Sequence, residues 1–386
     1  MLSSIALVGK ELGRVGLDRA LPDGRTLPDR GPDITPAVLE RVTGRPAGSI
    51  TAVQVLDEHH GTAGRIHLAV EATPAAELPD TIFVKCTPRH PVQRVMMSVF
   101  ELGARELLFY ESVADDVPLR VPHCYGLDHH RRRGRNLLVL EDLGATARFR
   151  DIREPATADE AAAVVDALAA LHGAFWGSPR LTGDLAALSA RSPAAERLGN
   201  LFVKSVLGKR KGRSAEVIPA DVARAGRMMF EQRAAIDAFW AREAQTLCHG
   251  DTHLGNLFFE GRRPGFLDWQ AAMVGPGLRD VSYFLIASVD PHVLTPIESD
   301  LVDRYVGRLA EHGVVLDRAW AWNRYRASAA EIYVAAVVTA GTADRMQPAE
   351  ISSVGVDRAV TAVQRLDTFA ILGRLAGADI TSAGRP

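Results

Sequence analysis

Three oxygen-bearing side chains lie within one short stretch of the chain, residues 247–270. Asp251 and Asn256 are separated by four residues, and Asp268 follows further along. Carboxylate and amide oxygens are ligands for hard cations, and Mg²⁺ takes one or two carboxylates and completes its shell with water and phosphate. The stretch is therefore a candidate Mg²⁺ site.

A turn between two apolar runs is predicted to gather these oxygens. Residues 257–259 and 265–267 have the composition of short strands, and the Gly/Arg/Pro segment between them predicts a tight hairpin with Pro264 and Gly265 in its turn. A hairpin brings its two ends together. The side chains just before the first strand and just after the second are thus expected to lie side by side.

The spacing within this stretch also predicts a reaction. Asp251 and Asn256 are spaced like the aspartate and asparagine of the protein-kinase catalytic loop, and Asp268 follows as the metal-binding aspartate does there. Phosphoryl transfer depends on positioning and on neutralising charge. We expect Asp251 to orient an attacking hydroxyl and to accept its proton late, while Asn256 and Asp268 hold the metal.

A lysine upstream supplies positive charge for the same chemistry. Lys85 ends the third of three successive apolar strands, and Glu106 lies on the following helix, on the side that carries Phe109. A carboxylate in that position can pair with the lysine and hold its ammonium over a nucleotide phosphate. Glu101 and Glu111 are predicted to face water instead.

The turn between the first two strands contains glycines and is a candidate phosphate loop. Its candidate positions are Gly61, Thr62 and Gly64. Hairpin turns also use glycine for positive φ with no ligand bound, so the turn alone does not establish nucleotide binding.

Two other functions are compatible with parts of the pattern. A metal-dependent hydrolase could use His249, Asp251 and His253, although no further histidine cluster follows downstream to complete a zinc or two-metal centre. We expect instead that one histidine packs under the loop and fixes its backbone. A catalytically silent nucleotide-binding protein that regulates a partner is the second alternative.

The elements that position these residues fall into three regions. Residues 1–33 are rich in Gly, Pro, Asp and Arg and are predicted to form an irregular N-terminal arm. Residues 34–141 predict an α+β lobe with a small five-stranded, mostly antiparallel sheet and one helix, Val92–Ala114, against it. The predicted strands are 49–57, 65–72, 81–85, 121–127 and 136–141.

Residues 142–386 are alanine-rich and predict a mainly helical lobe. Within it, residues 177–219 give mixed signals and are a candidate mobile insertion. Two helix starts carry cap signals, Thr35-Pro36 and the capping box at Thr157. The predicted helices of this lobe are 157–176, 220–244, 295–312, 318–340 and 352–375.

Composition limits the partners. The 386 residues carry a formal net charge of −2, which argues against nucleic acid as the main partner. The basic run Arg131–Arg133 is predicted to be a solvated loop. Three dispersed cysteines fit a reducing compartment, and no signal peptide or membrane span is recognised, so a cytoplasmic location is expected.

With these residues in place, the chain resembles the aminoglycoside phosphotransferase and choline kinase superfamily, nearest its ecdysteroid-kinase-like and bacterial small-molecule phosphotransferase branches. The motifs that carry the resemblance extend from about residue 50 to about residue 290. They are Phe83-Val84-Lys85, Glu106-x-x-Phe109-Tyr110, Leu138-Val139-Leu140-Glu141-Asp142-Leu143, His249-Gly250-Asp251-x-His253-x-x-Asn256 and Leu267-Asp268-Trp269.

The resemblance implies a two-lobed protein-kinase-like fold, with ATP as phosphoryl donor and Mg²⁺ as cofactor. It implies that Asp251 is the base, that Asn256 and Asp268 bind the metal, and that the backbone near Glu141, Asp142 and Leu143 holds the adenine. Asp280 then braces the catalytic loop. The acceptor is expected to be a hydroxyl group of a small molecule, sterol-like or sugar-like rather than polycationic, since no strongly acidic segment is evident.

Overall fold

The computed structural model describes residues 2–20, 27–61, 63–189, 193–208, 218–341 and 349–380. The chain divides into two compact units. Unit 1 comprises Met1–Ala114, Val121–Thr146 and Arg191–Arg197, and unit 2 comprises Asp115–Arg120, Ala147–Ala190 and Leu198–Pro386. Part of the expected insertion, residues 190–192 and 209–217, lies outside the described residues, and the prediction that it is mobile stays a prediction.

Unit 1 is built on one five-stranded sheet. Its order is β1-β2-β3-β5-β4, and every neighbouring pair is antiparallel, which confirms the predicted sheet. Alternate residues of β2 are buried, because successive side chains of a strand point to opposite faces. The strands are β1 (Ile50–His60), β2 (Gly64–Ala72), β3 (Thr81–Cys86), β4 (Cys124–His130) and β5 (Arg135–Glu141).

One face of this sheet packs on a short helix, α2 (Pro36–Thr43). Thr35 caps the helix, since its hydroxyl accepts a hydrogen bond from the backbone of Val38, and Pro36 occupies the first helical position, as the sequence predicts. Leu39 of α2 is fully buried in the hydrophobic core with Ile66 and Val84 of the sheet.

The helix predicted over residues 92–114 is two helices, α3 (Pro91–Val99) and α4 (Leu102–Ser112). Glu101, between them, has a φ of 58°, in the left-handed region that ends a right-handed helix. The apolar spacing was therefore recognised correctly, but the break was not. It lets α4, which carries Glu106, take its own direction.

The prediction of an irregular arm over residues 1–33 is wrong for its first part. Residues Leu2–Ala20 form α1, which packs on α3. Three glycines, Gly9, Gly13 and Gly16, lower the intrinsic helix propensity of this segment, so composition pointed away from a helix. Tertiary contacts stabilise it instead.

Buried charged side chains hold α1 in place. Asp18, near the end of α1, pairs with Arg94 of α3 and Arg135 of β5, and all three side chains have exposed fractions of 10% or less. Arg133, in the turn between β4 and β5, is also buried and donates to the backbone carbonyl of Asp18. This corrects the prediction of a solvated basic loop at Arg131–Arg133.

From residue 147 onward the chain is mainly helical, as predicted. α5 begins with the expected capping box, in which Thr157 and Glu160 satisfy each other's backbone amides. Two predicted helices are broken, at Gln232 and at Asp367, whose φ is 48°. The helices are α5 (Ala158–Phe175), α6 (Pro193–Gly208), α7 (Ala220–Glu231), α8 (Arg233–Arg242), α9 (Leu278–Ser288), α10 (Pro291–Leu294), α11 (Glu298–Glu311), α12 (Arg318–Gly341), α13 (Ala349–Arg365) and α14 (Thr368–Ala376).

Two small sheets frame the 247–270 stretch in unit 2. β6 (Arg148–Phe149), β8 (Leu257–Glu260) and β9 (Arg263–Phe266) form one, and β7 (Thr246–Cys248) pairs with β10 (Met273–Gly275) in the other. The predicted hairpin is β8–β9, but its turn is not at Pro264 and Gly265. Both are paired strand residues, and the turn falls at Gly261, whose φ is 60°.

Among the described residues, no helix is both long enough and apolar enough to cross a bilayer.

Candidate active site

A buried aspartate organises the loop that follows β7. Asp280, in the first turn of α9, is fully buried, and its two carboxylate oxygens accept hydrogen bonds from the backbone amides of His249 at 2.6 Å and Gly250 at 3.0 Å. The hydroxyl of Thr252 donates to the carbonyl of Asp280 at 2.8 Å. These bonds fix the loop backbone immediately before and after Asp251.

A histidine on α5 also contacts this aspartate. The Nε2 atom of His172 lies 3.4 Å from the Asp280 carboxylate, and its Nδ1 atom lies 2.9 Å from the hydroxyl of Tyr305. His172 is fully buried. Its contact with the loop brace depends on the packing of α5, α9 and α11, which sequence spacing does not show.

Asp251 lies at the centre of the loop, with its side chain 35% exposed. Its Oδ2 atom accepts a hydrogen bond from the Asn256 amide nitrogen at 2.9 Å and lies 3.6 Å from His253 Nε2. Burial by itself raises the pKa of Asp251, but its interactions with His253 and its hydrogen bond with Tyr283 outweigh burial and hold the pKa well below its usual range. The carboxylate is therefore ionised at neutral pH and can accept a proton.

Sequence reasoning missed Tyr283 as a partner of Asp251. The tyrosine lies three residues after Asp280 on α9, so both side chains project from nearly the same face of that helix. Burial and the charge of Asp251 raise the pKa of the Tyr283 hydroxyl well above its usual value, so it remains a proton donor. The i, i+3 spacing from Asp280 was the available signal.

His249 joins the Asp251 loop to the end of β9. Its Nε2 atom donates to the carbonyl of Leu267 at 2.7 Å, and its Nδ1 atom accepts from the backbone amide of Asp251 at 3.3 Å. Burial lowers the pKa of His249, which keeps the ring neutral, as this pattern of one donor and one acceptor requires. The histidine holds the loop backbone from below, as expected from the sequence.

His253 has a local role. Its side chain caps the short 3₁₀ turn Leu254–Asn256, because Nδ1 accepts from the backbone amide of Gly255 at 3.0 Å. This turn leads directly into β8 and orients Asn256.

The hairpin brings Asn256 to the end of the second strand. The backbone amide of Leu267 donates to the carbonyl of Asn256 at 2.8 Å, so Asn256 is paired with the residue that immediately precedes Asp268. Asp268 has a φ of 57°, a left-handed conformation that Asp tolerates better than most residues. The two ends of the hairpin are therefore paired as predicted, although the turn residues differ.

The glycine at position 250 is required by the close approach of another chain segment. Its φ is 85°, and a Cβ atom there would lie 2.2 Å from the carbonyl oxygen of Ala271. Any side chain would push apart the Asp251 loop and the segment that follows Asp268.

Gly250→Ala is therefore expected to destabilise the protein by more than the usual cost of placing a residue with a Cβ atom at a left-handed φ. Gly261→Ala is the matched control, since Gly261 has a φ of 60° and no atom within 4 Å of an added Cβ. The control should lose about 1–2 kcal/mol of unfolding free energy, and Gly250→Ala about 1–3 kcal/mol more. Urea unfolding of both variants measures the difference, and equal losses would contradict the proposed close packing.

In unit 1, Lys85 and Glu106 form the predicted ion pair. The ammonium of Lys85 donates to Glu106 Oε1 at 2.5 Å, and both side chains are almost completely buried, 6% and 2% exposed. Glu111, on the same helix, is 40% exposed, in line with the expectation that it faces water. An ion pair this buried is costly to form, which favours a role in binding or orientation over stability.

Two of the three candidate phosphate-loop residues, Gly61 and Gly64, are among the described residues and lie where β1 turns into β2. The backbone amide of Gly61 donates to the carbonyl of Ala63 at 3.1 Å, and Gly64 begins β2 opposite His60. Thr62 lies outside the described residues. The nucleotide-binding roles of all three positions stay predictions.

The segment after β5 is held by its own side chains. Asp142 accepts a hydrogen bond from the backbone amide of Gly144 at 2.9 Å and lies 2.7 Å from His67 Nε2. The carboxylate of Glu141 accepts from the backbone amide of His123 at 3.0 Å, and Leu143 is buried. The two carboxylates therefore shape the segment, and the adenine contact that the resemblance implies stays a prediction.

The fold of this chain is similar to that of known kinases. The chain has no significant match among curated proteins. It is similar in fold to a choline/ethanolamine kinase family protein from Mesorhizobium loti, with 14% identity, a TM-score of 0.50 and coverage of 89% of this chain and 98% of that one. It is also similar to choline kinase from Cryptosporidium parvum, with 12% identity, a TM-score of 0.50 and coverage of 88% and 95%.

The family itself is shown by sequence. The model of the phosphotransferase enzyme family matches residues 98–327, more than half of the chain and including the whole Asp251 loop. The two solved structures support a kinase-like fold with a five-stranded sheet in the N-terminal part and a largely helical C-terminal part. The chain belongs to the phosphotransferase enzyme family and is a small-molecule kinase, as the sequence predicts.

Proposed function

We propose that this kinase transfers the γ-phosphate of ATP to a hydroxyl group of a small molecule, with Mg²⁺ as cofactor and Asp251 as base. A nucleoside triphosphate is the donor in this family. The choice of ATP, the metal and the residue roles are our proposal. The observation that carries it is the arrangement of Asp251, Asn256 and the end of β9 around one hydrogen-bonded loop.

The donor set on this loop fits Mg²⁺. The amide nitrogen of Asn256 donates to the backbone carbonyl oxygen and to the Oδ2 atom of Asp251, each at 2.9 Å. The amide oxygen is therefore the atom that Asn256 can offer a metal. Asp268, which follows the residue that pairs with Asn256, would add a carboxylate. Oxygen donors and one or two carboxylates are what Mg²⁺ selects, and the bound ion would neutralise phosphate charge.

Asp251 orients the acceptor and takes its proton. An aspartate with a lowered pKa cannot deprotonate an alcohol in the ground state, because the alcohol is the far weaker acid. It can accept the proton as the bond to phosphorus forms. The amide of Asn256 and the hydroxyl of Tyr283 keep the carboxylate in one orientation for this step.

Lys85 supplies positive charge to the nucleotide phosphates in this proposal, and Glu106 holds its ammonium in place. Gly61, Thr62 and Gly64 provide backbone amides, and the backbone at 141–143 contacts the adenine. We accordingly propose residues 34–141 as the nucleotide-binding lobe and 142–386 as the catalytic and acceptor-binding lobe.

The acceptor is proposed to carry little positive charge. We expect the acceptor walls at residues 177–230 and 296–345, and three acidic residues of their described part are paired with arginines, which weakens the field that a polycation would need. Glu298 pairs with Arg365, Glu331 with Arg233 and Asp303 with Arg318. A sterol-like or sugar-like alcohol fits such walls better than an aminoglycoside. The three dispersed cysteines favour the reducing cytoplasm as the location.

Replacing Asp268 by alanine tests the metal assignment. We expect the affinity for ATP in the presence of Mg²⁺ to fall about tenfold or more, while ATP binding without Mg²⁺ changes little. Isothermal titration calorimetry with and without Mg²⁺ measures both. Equal ATP affinity of the wild type and Asp268→Ala in Mg²⁺ would contradict the role of Asp268.

The acceptor is found by incubating the wild type with ATP, Mg²⁺ and a library of hydroxyl compounds and detecting the mass gain of one phosphoryl group. A silent nucleotide-binding protein would bind ATP and phosphorylate none of them. A hydrolase centred on His249 is disfavoured, because both nitrogens of that buried ring already bond the loop backbone.

A further inference from the structure

Three buried side chains that can bind a metal lie together in unit 2. They are His172 of α5, Cys248 at the end of β7 and Asp280 of α9, and one ligand atom from each, a nitrogen, a sulfur and an oxygen, lies within 4.8 Å of the other two. In the part of the chain that the structure describes, no other three such side chains meet in this way. All three are fully buried, so the cluster is part of the packed core.

The separation of two of these atoms suits a bound ion better than a hydrogen bond. His172 Nε2 lies 3.4 Å from Asp280 Oδ2, whereas N–H···O hydrogen bonds are most often about 2.9–3.0 Å long. A nitrogen and an oxygen that both bind a tetrahedral zinc ion at its usual distances are about 3.3–3.4 Å apart. The two atoms therefore already have the separation of two zinc ligands.

The hydrogen bonds of these side chains are compatible with a metal. Each oxygen of Asp280 accepts one backbone amide, and a carboxylate oxygen has two lone pairs, so Oδ2 can also bind an ion. The Nδ1 atom of His172 lies 2.9 Å from the hydroxyl of Tyr305. Histidines that bind a metal through one ring nitrogen are commonly oriented by such a hydrogen bond at the other.

Zn²⁺ is the ion that these ligands suit best. Thiolate, imidazole and carboxylate are its usual ligands, whereas Mg²⁺ and Ca²⁺ bind oxygen. The thiolate of Cys248 and the carboxylate of Asp280 would together balance the charge of a dication, as a site without access to water requires. The proton of the thiol passes to the solvent when the metal binds.

We propose that His172, Cys248 and Asp280 bind one Zn²⁺ ion, with a water molecule as the fourth ligand. The ion would link α5, β7 and α9 and would hold the carboxylate that braces the Asp251 loop. This site shares no residue with the proposed Mg²⁺ site and requires neither a nucleotide nor an acceptor. It can therefore fail while the proposed kinase reaction stands, and the reverse.

The zinc content of the full-length wild type, purified from cells grown with added zinc salt, measures occupancy. Plasma mass spectrometry should find about one zinc ion per chain, and Cys248→Ala should retain less than about a tenth of it. Cys86→Ala is the matched control, because Cys86 is also a buried cysteine, in β3 of unit 1, and its removal should leave the zinc content unchanged.

Cobalt identifies the ligands. Co²⁺ bound to a thiolate has a charge-transfer absorption band in the near ultraviolet, which we expect in the wild type and in Cys86→Ala but not in Cys248→Ala. Excess Mg²⁺ should leave this band unchanged, because the Mg²⁺ site offers no sulfur. Tyr305→Phe should weaken cobalt binding about 10–100-fold, since His172 Nδ1 loses its partner.

Three results would overturn the proposal: a wild type without zinc, a wild type without the thiolate–cobalt band, and a Cys248→Ala variant that keeps both. Zinc that is present without that band in the cobalt-loaded protein is bound elsewhere. If Cys248→Ala does not fold, a variant that carries Cys86→Ala and Cys124→Ala decides the question, because Cys248 is then the one remaining cysteine of the chain. The band must persist in this variant, and its absence would contradict zinc binding by Cys248.

Discussion

Asp251→Asn is expected to lower the rate constant of phosphoryl transfer about 10²–10⁴-fold, the usual contribution of a general base. Asparagine has the shape of aspartate, so the loop held by Asp280 and His249 should keep its conformation. It has no charge and cannot take the proton of the acceptor. The affinity for ATP in Mg²⁺ should stay within about twofold of that of the wild type, because the proposed metal and phosphate contacts remain.

The measurement is a steady-state rate of transfer to an acceptor identified by mass gain, together with the dissociation constant for ATP from calorimetry. Asp159→Asn is a matched control, since Asp159 is an exposed acid at the start of α5 that pairs with Arg262. Transfer by Asp251→Asn at the rate of the control would show that Asp251 is not the base. Loss of ATP binding together with transfer would point to a structural defect instead.

Asp280→Ala is expected to lower the free energy of unfolding by about 3–5 kcal/mol, the usual loss when one member of a buried charged network is removed. The backbone amides of His249 and Gly250 would lose their acceptors inside the protein, and His172 would lose its partner. Protein that still folds should transfer phosphate poorly, because the backbone on both sides of Asp251 is no longer fixed.

Urea unfolding, followed by tryptophan fluorescence, measures the stability of Asp280→Ala. Asp300→Ala provides the comparison, since Asp300 is an exposed acid in the first turn of the neighbouring helix α11. A loss for Asp280→Ala as small as that for Asp300→Ala would show that the buried carboxylate does not brace the loop. Full transfer activity in a destabilised Asp280→Ala variant would show that Asp280 stabilises the fold and is not needed for catalysis.

The sequence predicted those parts of the site that depend on local spacing. Asn256 and the residue before Asp268 come together because a hairpin joins its own ends, whichever residues form the turn. Glu106 was chosen over its neighbours because the helical period puts it on the apolar side with Phe109. Both inferences need only the geometry of one element or two adjacent ones, so they survive errors of a few residues in element boundaries.

What the sequence did not predict depends on residues that are distant in the chain. The contact of His172 with Asp280 joins two helices more than a hundred residues apart, and the partners of Asp18 come from α3, β5 and the turn before it. A glycine-rich helix such as α1 has a weak local signal, since buried ion pairs rather than propensity hold it in place. The breaks at Glu101 and Asp367 likewise require left-handed residues that apolar spacing does not reveal.

The sequence by itself thus determined the family, the strand order of the N-terminal sheet along the chain and the candidate reaction. These depend on residues at fixed short spacings within a strand, a loop and a hairpin. Only the tertiary structure decided how the loop is held. The acceptors for its amides, the neutral state of His249 and the burial of the arginines around Asp18 arise when distant segments exclude water. Hydrogen bonds and charges that would be solvated in an isolated segment must then be satisfied within the protein.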